Sequence, residues 1–228
     1  MAGCRVDVPP GLRSSVFGES HMSSGLNVYI VRHGETLWSL SGQHTGRTDL
    51  ALTPNGRQQA LSLMPALEHT AFSQVLTSPM RRARETCQLA GLEEHAQVET
   101  DLGEWDYGDY EGRRSVDIRA ERPDWDIWRD GCPGGETPAE IAARADRVVA
   151  RLMTMAGAVV LFSHGQFSRV LAARWVGLGA DGGRHFALDP ATISVLGFEG
   201  RDPTRPVVSL WNAAPSAPGC VAALRAAA

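Results

Sequence analysis

Short, continuously apolar runs alternate with amphipathic stretches along most of this chain. Residues 26–31 (LNVYIV) form the first run; it is short and β-branched, and it predicts a buried strand rather than a helix. A Gly-, Thr- and Ser-rich loop is expected over residues 32–49. Thr53-Pro54 then has the order of a helix start, with threonine as N-cap and proline at the first helical position. Ala60, Leu63 and Leu67 supply its apolar stripe, and Pro65 predicts a kink or an early stop. Residues 74–77 predict a second strand running into Ser78-Pro79, a second N-cap and proline pair, and a helix that stops at Gly91.

A short strand is expected at residues 97–100, an aromatic and acidic loop at 104–112, and a helix over 115–130 broken at Pro123. Thr137-Pro138-Ala139-Glu140 reads as a capping box, opening a helix whose inner face carries Ile141, Val148 and Leu152. Residues 158–162 (AVVLF) predict a buried strand, followed by Ser163-His164-Gly165 and a helix to Val176. Residues 192–198 and 207–211 predict two final strands. Strands that are apolar throughout belong to a sheet covered on both sides. The fold class expected is therefore α/β, a three-layer sandwich with a mostly parallel central sheet and helices on both faces. No internal repeat or low-complexity linker interrupts residues 26–212, so one domain is expected there. Residues 1–25 read as a disordered leader, with Met22 as an alternative start, and residues 213–228 as a flexible tail.

Composition narrows the setting. The 228 residues fit one large domain or two small ones, and 43% hydrophobic with 21% charged residues is ordinary globular usage. The net charge of −4 lacks the basic excess of a generalised nucleic-acid surface. All 22 basic residues are arginine. A coding bias accounts for that, although arginine also grips oxyanions bidentately. Cys4, Cys87, Cys132 and Cys220 are scattered, which suits neither a disulfide framework nor a zinc spacing. No stretch approaches the roughly 18 apolar residues of a membrane span, and residues 1–26 lack a secretory apolar core. The expected location is the cytoplasm.

The chemistry gathers at strand ends. One predicted strand runs into Arg32-His33-Gly34 and another into Ser163-His164-Gly165. Ligands of open α/β sheets bind beyond the carboxyl ends of the strands, where these two imidazoles could meet. Ser78 marks a third strand end, and Arg82 sits near the first turn of the helix after it, a place that attracts anions. Two histidines and two arginines around an oxyanion is one reading; ordinary loop residues is the other. Residues 177–182 (GLGADG) fit G-x-G-x-x-G but follow a helix, so they read as a helix stop. Trp105, Trp125 and Trp128 are candidates equally for a leaving-group pocket and for the core.

Ile30-Val31-Arg32-His33-Gly34-Glu35-Thr36 resembles the signature of the histidine phosphatase superfamily, the phosphoglycerate-mutase-like proteins. Thr45-Gly46 with Thr48-Asp49-Leu50, the stretch from Leu52 to Arg57, and Thr77-Ser78-Pro79-Met80-Arg81-Arg82-Ala83 resemble its next segments. Glu104 with Tyr107-Gly108-Asp109-Tyr110-Glu111-Gly112, Gly134-Gly135-Glu136-Thr137, and Phe162-Ser163-His164-Gly165 complete the set in order. The resemblance implies that His33 is the nucleophile and forms a phosphohistidine. It implies that Arg32, Arg82 and His164 surround the phosphoryl oxygens, with His164 best suited to the task as a cation. It implies that Glu104 gives a proton to the leaving alcohol and then activates water. Gly34 and Gly165 would let the backbone approach the anion, and no cofactor or metal would be needed.

The same resemblance implies substrate contacts from His44, Thr45, Gly46, Ser78, Tyr107 and Arg169. About 30 residues separate Glu104 from Glu136, too few for the cap of a mutase, so hydrolysis is expected. Residues 104–112 and 125–137 look like those of bacterial acid phosphatases and fungal sedoheptulose-1,7-bisphosphatases of the family. The latter carry an arginine at the position of Arg169, suited to a distal phosphate, and a tyrosine at the position of His44. The expected function is a phosphomonoester hydrolase for small sugar phosphates. A 2,3-bisphosphoglycerate-dependent mutase and a non-catalytic phospho-ligand binder are the alternatives. The expected partner is a small phosphorylated metabolite, with no nucleic acid and no membrane, and a homo-oligomer stays open.

Overall fold

The computed structural model describes residues 25–216. Its sheet comprises β1 (Asn27–Arg32), β2 (Phe72–Thr77), β3 (Ala96–Val98), β4 (Ala158–Ser163), β5 (Ile193–Phe198) and β6 (Pro206–Ala213), in the order β3-β2-β4-β1-β5-β6. The β3–β2, β2–β4 and β4–β1 pairs are parallel, and β5 runs against both of its neighbours. The helices are α1 (Leu37–Ser41), α2 (Pro54–Leu61), α3 (Met64–Leu67), α4 (Arg81–Leu89), α5 (Ser115–Glu121), α6 (Ile127–Asp130), α7 (Pro138–Leu152) and α8 (Gly165–Trp175).

The two-residue period of a strand sorts the core into two layers. Val28 and Ile30 of β1, with Val159 and Leu161 of β4, pack against Ile141, Val148 and Leu152 of α7 and Phe167 and Leu171 of α8. Tyr29, Val31, Val160 and Phe162 point the other way, onto Ala66 and Leu67 of α3 and Cys87 of α4. The result is the expected mostly parallel sheet with helices on both faces. Phe162 is fully buried at its centre, where truncation to alanine costs about 3–5 kcal/mol.

Several helix boundaries follow their local signals. Thr53 Oγ1 accepts the Gly56 N–H at 2.9 Å to cap α2. Thr137 and Glu140 cap α7 reciprocally, at 2.8 and 3.2 Å. Pro65 does not kink a continuing helix: α2 stops at Leu61, and Pro65 enters the first turn of α3. Two local expectations are corrected. Ser78 does not cap α4, which opens only at Arg81 with Met80 in the cap position; the Ser78 hydroxyl meets His164 and accepts the Met80 N–H at 3.3 Å, ahead of the helix. The loop over residues 32–49 contains α1, opened by a Thr36/Ser39 capping box in which a serine replies where glutamate or glutamine is usual. The G-x-G-x-x-G stretch does follow a helix, α8, with Gly177 at φ 80°. The expected leader up to residue 24, Cys4, Cys220 and the expected tail from residue 217 lie outside the described residues, whereas Ala213, placed in that tail by the sequence, closes β6.

The sheet sets the position of the chemistry. Register pairs Arg32 with Ser163 and Thr77 with Phe162 at the carboxyl ends of β1, β4 and β2. The His33 N–H bonds to Ser163 O at 3.0 Å, and the Ser78 N–H to Phe162 O at 2.9 Å. His33, Ser78 and His164 therefore leave the sheet side by side. Among the described residues, no helix is long and apolar enough to cross a membrane.

Candidate active site

His33 is buried at 4% exposure, and its ring centroid lies 5.2 Å from that of His164. Its Nδ1 sits 2.7 Å from the Gly34 carbonyl oxygen. A carbonyl only accepts, so the ring proton is on Nδ1 and the lone pair is on Nε2. Burial, and then the charges of Arg82 and Arg32, push the His33 pKa well below its ordinary value against the opposing Gly34 bond. A neutral imidazole with a free Nε2 can act as a nucleophile.

Both glycines expected near the anion also meet a packing demand. A Cβ on Gly34 would lie 2.4 Å from Gly56 O, so this glycine is needed for the approach of α2. A Cβ on Gly165 would lie 3.3 Å from Arg32 Cζ and Nε, so the missing side chain makes room for that guanidinium. Arg32 Nη1 donates to Leu188 O, while Arg32 Nε is buried with no protein partner among the described residues. Burial draws the Arg32 pKa down, and Glu104 opposes the shift.

Arg82, His164 and Ser78 are fully buried, in a layer behind the pocket. Arg82 Nε donates to His164 Nδ1 at 3.1 Å, and its terminal nitrogens donate to the carbonyls of Thr45, Gly46 and Thr48 at 2.9–3.0 Å. Gly46 and Thr48 also give their N–H groups to the Glu111 carboxylate at 2.9–3.0 Å. Glu111 thus fixes a loop whose carbonyls hold Arg82. His164, accepting at Nδ1, carries its proton on Nε2 and donates it to Ser78 Oγ at 2.7 Å. Burial, Arg82 and His33 hold its pKa well below the ordinary value, so the expected cation is corrected to a neutral ring.

A pocket of about 210 Å³ opens in front of this layer, walled by Arg32, His33, His44, Thr45, Glu104, Tyr107 and Arg169 from the expected set. Gly46 and Ser78 stay behind the wall. Glu104 Oε1 accepts the N–H groups of Trp105 and Phe167 at 2.9 and 2.8 Å, and Oε2 that of Gln166 at 3.0 Å. The carboxylate therefore occupies the positive N-terminus of α8, which has no cap of its own. His44 stacks on Tyr107 with centroids 4.5 Å apart. Burial, with Glu111 opposing, lowers the His44 pKa to about 4. Arg169 lies over the Trp128 ring at 4.7 Å and donates to Gly183 O, Arg184 O and Gln166 Oε1 at 2.6–3.2 Å. Trp105 and Trp125 belong to the core, and Trp128 backs Arg169.

Gln43, Gln166, Ser39 and Leu188 also wall the pocket and were not expected there. Gln166 directly follows the His164-Gly165 pair, which is a usable signal; the other three carry none in their local sequence.

The histidine phosphatase superfamily (branch 1) matches this chain over residues 28–213. The chain is 45% identical over 174 residues to an acid phosphatase of Mycobacterium tuberculosis, covering 75% of this chain and 85% of that protein. It is 41% identical over 183 residues to sedoheptulose 1,7-bisphosphatase of Saccharomyces cerevisiae, covering 66% of this chain and 67% of that protein. The solved structure of an open reading frame product from Mycobacterium tuberculosis superposes with a TM-score of 0.79 at 39% identity, covering 83% of this chain and 98% of that one.

Proposed function

The chain belongs to the histidine phosphatase superfamily and is a phosphatase, and from that premise we propose that it hydrolyses small sugar phosphates through a phosphohistidine at His33. The observation that carries this reading is the 2.7 Å bond from His33 Nδ1 to Gly34 O, which leaves Nε2 unprotonated inside the pocket. Nε2 attacks phosphorus, the bond from phosphorus to the leaving oxygen breaks, and that oxygen takes the proton carried by Glu104. Water then attacks the phosphohistidine and gives its proton to the Glu104 carboxylate; the N–P bond breaks and phosphate leaves. Glu104 Oε2 accepts one N–H where Oε1 accepts two, so Oε2 is the oxygen with room for the transferred proton. The unpartnered Nε–H of Arg32 gives a phosphoryl oxygen a donor, and Arg82 adds positive charge from behind.

The pocket wall supports a polyhydroxylated leaving group. Ser39, Gln43, Thr45, Tyr107 and Gln166 are polar, and Leu188 is the sole large aliphatic side chain among the lining residues. Three donors of Arg169 are engaged, which leaves one N–H on each terminal nitrogen for a second phosphate. This, with the likeness to a sedoheptulose 1,7-bisphosphatase, supports a bisphosphate substrate. The setting we propose is the cytoplasm: Cys87 and Cys132 are free and buried, with thiols pushed up to about 12 by burial.

The test is phosphate release from sedoheptulose 1,7-bisphosphate, fructose 1,6-bisphosphate and several monophosphates, beside His33→Ala. Release lost in His33→Ala, with bisphosphates preferred, is expected. Comparable weak release from every ester would turn the reading to a broad acid phosphatase. Absence of release from the intact protein would overturn hydrolysis.

A further inference from the structure

We infer that Arg144 of α7 is the positioning residue for Glu104, an inference that rests on the reading of Glu104 as the proton donor. Arg144 does not wall the pocket, and its side chain is 11% exposed. Its guanidinium has five N–H groups, and all five have acceptors. Nε and Nη2 grip Glu136 Oε1 and Oε2 at 2.8 and 2.7 Å. Nη1 donates to the carbonyls of Asp101 and Gly103 at 2.8 and 2.6 Å, and Nη2 to that of Glu104 at 3.1 Å. One side chain thereby ties down the three carbonyls that set where the Glu104 Cα stands.

The same guanidinium also reaches the other end of Glu104. Its Cζ lies 4.4 Å from the centroid of the Phe167 ring, and the Phe167 N–H holds Glu104 Oε1 at 2.8 Å. Glu136, held by Arg144, continues the clamp: its Oε2 accepts the Asp106 N–H at 2.9 Å and its carbonyl accepts Trp105 Nε1 at 2.9 Å. The backbone on both sides of Glu104 and the helix turn that receives its carboxylate therefore meet at one planar cation. Lysine has three donors on a point charge and cannot reproduce five directed bonds. Arg144→Lys keeps the positive charge beside the site and removes the geometry, which separates positioning from electrostatics.

A displaced proton donor harms poor leaving groups selectively, because a stabilised phenolate departs without a proton. The experiment compares kcat/KM on glycerol phosphate and on 2,4-dinitrophenyl phosphate for the wild type, Arg144→Lys and Glu104→Gln. Arg144→Lys is expected to lose about tenfold to a hundredfold on glycerol phosphate and to stay within about threefold on the aryl ester. Equal losses on both esters would overturn the inference and make Arg144 a fold residue only. If Glu104→Gln itself shows no leaving-group dependence, the proton-donor reading falls and takes this inference with it. If Glu104→Gln discriminates and Arg144→Lys does not, the Arg144 inference alone falls. Should Arg144→Lys fail to fold, Phe167→Leu withdraws the ring and keeps the N–H. The same split, smaller, is then expected, and equal losses overturn the inference.

Discussion

Arg82 Nε donates to His164 Nδ1 across 3.1 Å, and the direction of that bond sets the protonation of the layer beneath the site. An imidazolium has no lone pair to receive a guanidinium N–H. His164 is therefore neutral, protonated at Nε2, and bound to Ser78 Oγ at 2.7 Å. Because His33 is also neutral, the two rings are not divided into an acid and a base. Two buried guanidinium groups nearby oppose charge on both.

Ser78→Ala removes the acceptor of a fully buried N–H. A loss of about 1–3 kcal/mol is expected, seen as a fall of several degrees in Tm, with reduced turnover as the His164 ring loses its anchor. An unchanged Tm would show that Ser78 does not hold the ring.

How much of this was legible before the structure depends on the distance over which each contact acts. The ends of β1, β2 and β4, the Thr53 cap and the Thr137/Glu140 box rest on neighbouring residues and were readable. The bonding within the layer behind the pocket was not, although its members were: Arg82 reaches carbonyls 34 to 37 positions away, and a carbonyl acceptor leaves no mark in side-chain identity. Ser78-Pro79 imitates a cap locally, but α4 opens only at Arg81, and the Ser78 hydroxyl also meets a residue 86 positions distant. Strand-end position marks Arg32, His33, Arg82 and His164 as candidates and likeness assigns their roles, Glu104 rests on likeness alone, and the tautomers needed geometry.

Acid stability gives a second test. The His44 pKa stands at about 4 in the folded chain, against about 6.5 for a free imidazole. Above about 6.5 both states are neutral and its contribution is complete. As pH falls toward about 4 the unfolded chain takes up the proton first, and stability drops. His44→Tyr abolishes that uptake and keeps an aromatic ring against Tyr107. Its Tm is expected to fall less than the wild-type Tm over this interval in thermal melts; parallel curves would count against a buried neutral His44.

Arg169→Ala separates a second-phosphate contact from a packing role. The affinity for a bisphosphate is expected to weaken about tenfold to a hundredfold, and that for the matching monophosphate much less. Calorimetric binding of the pair to His33→Ala, with and without Arg169→Ala, measures this. Equal weakening would assign Arg169 to packing on Trp128.

Gly34→Ala forces a methyl to within 2.4 Å of the Gly56 carbonyl, which is backbone and cannot turn aside. Destabilisation of about 1–3 kcal/mol is expected, read by chemical denaturation. A variant as stable as the wild type would contradict the close approach of α2.

The most direct measurement is a rapid-quench trap of the phosphoenzyme under alkaline conditions, where phosphohistidine survives, followed by mass spectrometric mapping. Phosphate on His33 is expected, increased in Glu104→Gln fed an aryl phosphate and lost in His33→Ala. A label on any other side chain, or continued turnover in His33→Ala, would contradict covalent catalysis at His33.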